Sequence, residues 1–174
     1  MELVKPSIHY KDSFLEAIKE FHAIAEDNSK DLYELNIDYL NNNLQLYIAK
    51  LLSEAEGENL PEGYVPQTTY WLVDNGEFIG RVSIRHRLTE KLLIEGGHIG
   101  YDIRPSKRKM GYGKKILALS LSKAKELVIK KVLVTCNENN IGSKKIIEAN
   151  GGILENRIEM NEGKPAKLRY WISL

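Results

Sequence analysis

The chain has 174 residues, of which 43% are hydrophobic and 28% charged, with a formal net charge of +1. That length suits one domain, 1–174, burying roughly 70% of its unfolded surface. No apolar run has the length of a membrane span, the opening "MELVKPSIHYKD" lacks the apolar stretch of a secretory signal, and a single cysteine, Cys136, excludes an internal disulfide, so a cytoplasmic protein with no membrane partner is expected.

The charge is unevenly spread. Residues 1–66 hold thirteen acids against five Lys and Arg, and residues 67–174 hold eleven against twenty. Two surfaces with opposite preferences follow, one for cations and one for anions. Solvated helix faces are the ordinary alternative.

After "KPS", Phe14, Ile18, Phe21 and Ala25 recur at helical spacing, and "DNSKD" interrupts them. A second helical stripe carries Leu40, Leu44, Tyr47, Ile48 and Leu51. Residues 53–66, "SEAEGENLPEGYVP", read as a loop. The period then changes to two. "TTYWLVD" and "EFIGRVSIRH" read as strands joined at Asn75-Gly76, a pair suited to the positive φ that tight hairpin turns require. "GGHIGYDI", 96–103, is a further strand, and Pro105 breaks the chain after it by disfavouring helix at Arg104. Leu117, Leu121, Ala124 and Val128 mark a helix, and "KVLVTC" a β-branched strand. Asn140 is placed to cap another helix that ends at Asn150-Gly151-Gly152. "ILENRIEM" and "KLRYWISL" bracket "NEGKP" as a second hairpin. The order ααβββαβαββ implies an α/β sheet layered with helices.

Between strand and helix lies "RPSKRKMGYGKK", 104–115, with six cations and two glycines. A helix start leaves N–H groups unpaired and carries partial positive charge. Gly111 and Gly113 let main chain approach a ligand, so the stretch reads as a cradle for an anion such as a diphosphate. It is not a P-loop: Arg108 stands where that motif needs glycine, and Lys115 where it needs Ser or Thr. It is not the dinucleotide fingerprint either, because Ile116 replaces the third glycine. A nucleic-acid surface needs several aromatics for stacking, and the loop has only Tyr112, so no nucleic-acid partner is expected.

What remains is Arg108-x-x-Gly111-x-Gly113, which resembles the coenzyme A pyrophosphate loop of the GNAT superfamily of N-acetyltransferases. "TCNENNIGSKKIIEANGG" resembles that family's next strand and helix, and the element order matches from residue 1 to 174. "IRH", "GGHIGY", "IRPSKR" and "RYWI" resemble a bacterial branch with poorly defined acceptors. The resemblance implies a mixed, mostly antiparallel sheet flanked by helices on both faces. It implies acetyl-CoA as co-substrate, no metal, and acetyl transfer to a primary amine of a small molecule or peptide by direct attack in a ternary complex. The cofactor would lie in a splay between the strands at 97–103 and 131–136. Backbone near Ile103 would pair with the pantetheine arm. N–H groups of Arg108, Lys109, Met110, Gly111, Tyr112, Gly113 and Lys114 would hold the pyrophosphate, and Asn140 and Ser143 would contact the arm or the adenosine side. A homodimer stays open.

The chemistry needs a neutral amine, hence a base. Candidates are Glu95, His98 and His86, each with an ordinary alternative: a solvated acid for Glu95, a buried hydrogen-bonded imidazole for His98, and either role for His86. Arg85 and Arg87 flank His86 and would lower its pKa. Tyr101 reads as a packed strand aromatic, and Cys136 as a buried thiol. Many family members carry an acid tyrosine four residues after the serine, where this chain has Ile147. That departure keeps a second reading alive, a non-catalytic acyl-CoA-binding module; transfer to a hydroxyl is a weaker third. The acidic first part, with Glu54, Glu56, Glu58 and Glu62, suggests a cationic acceptor.

Overall fold

The computed structural model describes residues 1–24, 32, 34–58, 60–161 and 163–174. Ala25 and the break expected at 27–31 lie outside the described residues. The elements are β1 (Glu2–Val4), a 3-10 turn (Ile8–Tyr10), α1 (Lys11–Ala23), α2 (Ile37–Glu56), β2 (Gln67–Asp74), β3 (Glu77–Arg85), α3 (Glu90–Ile94), β4 (Ile99–Ile103), a 3-10 turn (Pro105–Lys107), α4 (Tyr112–Glu126), β5 (Lys131–Asn137), α5 (Ile141–Ala149), β6 (Ile153–Ile158) and β7 (Lys167–Ser173).

The strands form two antiparallel sheets, in the orders β1-β2-β3-β4 and β5-β7-β6. Alternation along β2 sorts its side chains to two cores. Tyr70 and Leu72 face one with Val82, Ile84, Ile116, Leu117 and Ile147. Trp71 and Val73 face the other, against Phe14, Ile18, Phe21, Leu40, Leu44 and Ile48 from α1 and α2. Helices therefore cover both faces, as an α/β layering requires. Phe14 stacks on Trp71 with ring centroids 4.5 Å apart. The β2–β3 turn is left-handed at both Asn75 (φ 49) and Gly76 (φ 78), the geometry that hairpin chemistry demands.

Several boundaries differ from expectation, each for a local reason. α2 runs to Glu56, where Gly57 (φ 79) caps it, so the loop is shorter than 53–66. β1, three residues long, and α3, five, are too short for a periodic signal. Val128 is not part of α4: it follows the helix with φ 61 and is 81% exposed. β4 begins at Ile99 rather than residue 96, because Gly96 (φ 112) and Gly97 (φ 61) turn the chain out of strand geometry.

The two sheets meet at His98 and Leu133. The His98 N–H donates to the Leu133 carbonyl at 2.7 Å, and the Leu133 N–H donates to His98 Nδ1 at 2.9 Å. Beyond that point β4 and β5 belong to separate sheets. The edge of β4 facing away from β3 is left opposite β5, and a splay opens between them.

Candidate active site

The splay and the loop beside it form two joined clefts. The outer one, about 910 Å³, is lined by Tyr101, Asp102 and Ile103 of β4, by Arg108, Lys109, Gly111, Gly113 and Lys114, and by α5 residues from its N-terminus to Ile146. The inner one, about 280 Å³, lies between Glu95, Gly96, Gly100 and Tyr101 on one side and Val134 to Asn137 on the other, with Arg85 and Lys167 at its walls. Tyr101, Asn140 and Ser143 line both.

The outer cleft is a main-chain site. Gly111, left-handed at φ 88, forms the N-cap of α4 with no side-chain cap and no acid in the first turn. Lys109 is also left-handed at φ 62. Left-handed residues in a tight turn are a backbone feature of anion nests. The first ladder bonds of α4 are Lys114 N–H and Lys115 N–H to the Gly111 carbonyl, at 3.1 and 3.3 Å. The amides of Tyr112 and Gly113 precede those bonds and stand at the positive end of the helix. Arg108, Lys109, Lys114 and Lys145 add charge to the wall, and the one acid among the lining residues, Asp102, is paired with Arg81 at 3.1 Å.

The two glycines do different work. A side chain at Gly111 meets nothing within 4 Å, so what the position demands is its positive φ. Gly113 has no such backbone demand; a Cβ there would lie 2.4 Å from Ile146 Cδ1. The glycine there lets α4 lie close to Ile146 of α5, while its backbone also lines the outer cleft.

Of the expected cofactor residues, Ile103, Arg108, Lys109, Gly111, Gly113, Lys114, Asn140 and Ser143 line the outer cleft. The side chains of Met110 and Tyr112 do not. Met110 is 63% exposed, and the Tyr112 hydroxyl donates to Asp74 Oδ2 at 2.9 Å. The Ile103 carbonyl accepts from Arg108 Nε at 3.3 Å, so that arginine braces the strand's end as well as the loop. Asn140 caps α5: its Oδ1 accepts the Ser143 N–H at 2.9 Å.

Behind the loop, Arg104 is nearly buried and ties it to α1. Its guanidinium pairs with Glu20 at 2.6 Å and Glu77 at 3.0 Å. Glu20 also accepts the Ser106 N–H at 3.0 Å. Burial works to raise the Glu20 carboxyl, but the bonds from Arg104 and Ser106 outweigh it and hold it below the usual carboxylate range.

The three base candidates are not brought together. Glu95 lines the inner cleft, 3.9 Å from Lys167 Nζ. His98, 9% exposed, has its Nδ1 lone pair engaged by Leu133, so its proton sits on Nε2. Burial first, then Arg85, holds it below the ordinary imidazole range. His86 lines neither cleft; its Nε2 lies 2.8 Å from Thr68 Oγ1. Its pKa is lowered, as its neighbours in sequence suggested, but by burial and then Lys5, with Glu56 opposing.

Sequence reasoning took Arg85 only as a neighbour of His86 and Tyr101 only as a packed aromatic, and did not single out Lys167. Arg85 Nη1 donates to the carbonyls of Gly96 and Gly97 at 3.1 and 3.0 Å, fixing the glycine turn at the mouth of the inner cleft. The Tyr101 and Ser143 hydroxyls lie 2.9 Å apart. Ile147 is fully buried in the core beneath α5, so its side chain faces away from both clefts. Cys136 is buried, and burial raises its thiol. Among the described residues, no group of three or more His, Cys, Asp or Glu side chains gathers as a metal site, and no helix is long and apolar enough to cross a membrane.

This layout matches known proteins. The family model of the GNAT acetyltransferase domain matches residues 19–153, and the chain belongs to that family. Among solved structures, it is similar to RimL, an alpha-N-protein acetyltransferase of a ribosomal protein, in complex with coenzyme A (15% identity, 99% of this chain and 93% of that one, TM-score 0.71). It is also similar to MccE, a microcin C7 self-immunity acetyltransferase in complex with acetyl-CoA and AMP (15% identity, 99% and 91%, TM-score 0.69). A third is RimJ of Mycobacterium smegmatis in complex with a CoA disulfide (15% identity, 98% and 80%, TM-score 0.70). At such identities the likeness is one of fold. No curated protein sequence matches the chain.

Proposed function

We propose that this GNAT-family chain is an acetyl-CoA-dependent N-acetyltransferase that acetylates a primary amine by direct attack in a ternary complex. The observation that carries the reading is the junction of the two clefts. An amide cradle at the N-terminus of α4 opens into a splay whose far end is lined by polar side chains. The cradle suits a diphosphate. The edge of β4 that faces away from β3 suits an extended amide-bearing arm, which can pair with it as a strand would. RimL, MccE and RimJ, solved with coenzyme A or acetyl-CoA, support that assignment.

In this reading Arg108 to Lys114 hold the pyrophosphate through backbone N–H groups, and Asn140 and Ser143 stand beside the arm. The acceptor nitrogen bonds to the thioester carbonyl carbon, the C–S bond breaks with its electron pair on sulfur, and the nitrogen sheds a proton. Glu95 is the candidate base that lines the inner cleft, and one intervening water would extend its reach. His98 serves the splay's apex instead. His86 stands apart, with Thr68.

Acids mark the acceptor side. Glu54 accepts from Gln67 at 2.9 Å, and Gln67 is the ladder partner of Arg85, which lines the inner cleft. The acidic end of α2 therefore sits at the same end of the sheet as the inner cleft, where it favours a cationic acceptor by raising its local concentration. Coenzyme A release with a panel of amines tests the reading: turnover that falls with added salt for cationic acceptors is expected. The buried Ile147 favours a second reading, an acyl-CoA-binding module without chemistry. Acetyl-CoA binding with no turnover on any amine would establish that second reading and overturn the first.

A further inference from the structure

We propose that the Tyr101 hydroxyl, oriented by Ser143, donates the hydrogen bond that steadies the sulfur as coenzyme A departs. The inference rests on the N-acetyltransferase reading and names a residue for the step that Ile147 leaves unserved. Four observations carry it. Tyr101 and Ser143 line both clefts, so a thioester reaching from the cradle into the inner cleft runs alongside their hydroxyls. Their hydroxyls lie 2.9 Å apart although they come from different elements, β4 and the first turn of α5. Cys136 lines the inner cleft with them, so three proton-bearing side chains share its wall. And the α5 cap uses the backbone N–H of Ser143, not its hydroxyl, which leaves the hydroxyl to hold Tyr101.

The donor keeps its proton. Burial raises the Tyr101 phenol well above its ordinary value, whereas a free thiol has a pKa of about 8.5. Transfer from that phenol to a thiolate is uphill, so the group acts as a fixed dipole aimed at developing charge. In the balanced step, the amine nitrogen bonds to the acetyl carbon and the C–S pair moves to sulfur. The proton shed by nitrogen leaves through the base, and sulfur later takes a proton from water.

The test is Tyr101→Phe, which preserves the ring. The expected result is a kcat roughly 10- to 100-fold lower, the size of a lost hydrogen bond to a charged group. The KM for acetyl-CoA should stay within about 3-fold, because the interaction forms only as charge develops. A second acyl donor, S-(4-nitrophenyl) thioacetate, releases a thiol that is already acidic, so with it the variant should lose less than about 3-fold. Equal losses with both donors, an unchanged kcat, or a rise in KM alone would overturn the proposal. Should Tyr101→Phe fail to fold, Ser143→Ala retains the α5 cap and is read by the same two-donor comparison. The parent reading fails separately, on the wild type, if acetyl-CoA binds and no amine is acetylated.

Discussion

The outer cleft and the inner cleft share Tyr101, Asn140 and Ser143, yet they are made of different material. The outer one is backbone: a helix N-terminus, two left-handed residues and a glycine that lets α4 rest on α5. The inner one is side chain: Arg85, Glu95, Lys167 and the hydroxyls, held by contacts that cross from one strand to another. A backbone site is insensitive to which side chains surround it but fails when its φ angles are denied. A side-chain site tolerates backbone strain elsewhere but changes with charge and pH. Under the proposed function, substitution at the inner end would change the acceptor and leave the donor site intact.

Substitution where the two sheets meet breaks this comparison most sharply. A Cβ at Gly97 would lie 2.4 Å from the Leu133 carbonyl oxygen, and the residue is left-handed at φ 61. Neither fault has a flexible side chain to absorb it. Gly97→Val is expected to cost about 3 kcal/mol of stability or more, by clash and strain together, as read by denaturant unfolding. It should also weaken acetyl-CoA binding, because the apex of the splay moves. A variant as stable as wild type would show that the strand meeting point is not what sets the splay.

The next effect sharpens the role of His98. Its folded pKa is depressed, so the unfolded chain binds the proton more readily. The stability His98 supports is complete above its unfolded pKa of about 6.5 and is lost as pH falls through the lower folded value. Protonation would also place a donor against the Leu133 N–H. Unfolding free energies measured downward from pH 7 should therefore fall more steeply in wild type than in His98→Gln, which keeps an acceptor and cannot titrate. Parallel curves would contradict the assignment. Below this comes Asn140→Ala, which removes the cap from α5 and is expected to cost about 1 kcal/mol, with a modest loss of acetyl-CoA affinity by calorimetry.

The same division explains what the sequence made legible. Gly111, Asn140 and the Asn75-Gly76 turn act on backbone within a few residues of themselves, so their chemistry is written locally. Tyr101 meets Ser143 across 42 positions, and Leu133 meets His98 across 35. No local pattern announces such pairs. Ile147 illustrates both sides: its departure from the family pattern was readable, while its burial beneath α5 needed the fold. Gly113 sits in the right motif, but its close approach to Ile146, a residue on another helix, needed the fold.

The most direct measurement is calorimetry of acetyl-CoA with three forms of the purified protein: wild type, Gly111→Val, and the double variant Lys109→Ala/Lys114→Ala. If backbone amides hold the diphosphate, wild type binds, Gly111→Val loses at least tenfold in affinity through denial of its positive φ, and the double variant retains most of its binding at moderate salt. Absence of binding by wild type, or loss in the lysine variant with Gly111→Val unaffected, would contradict the account.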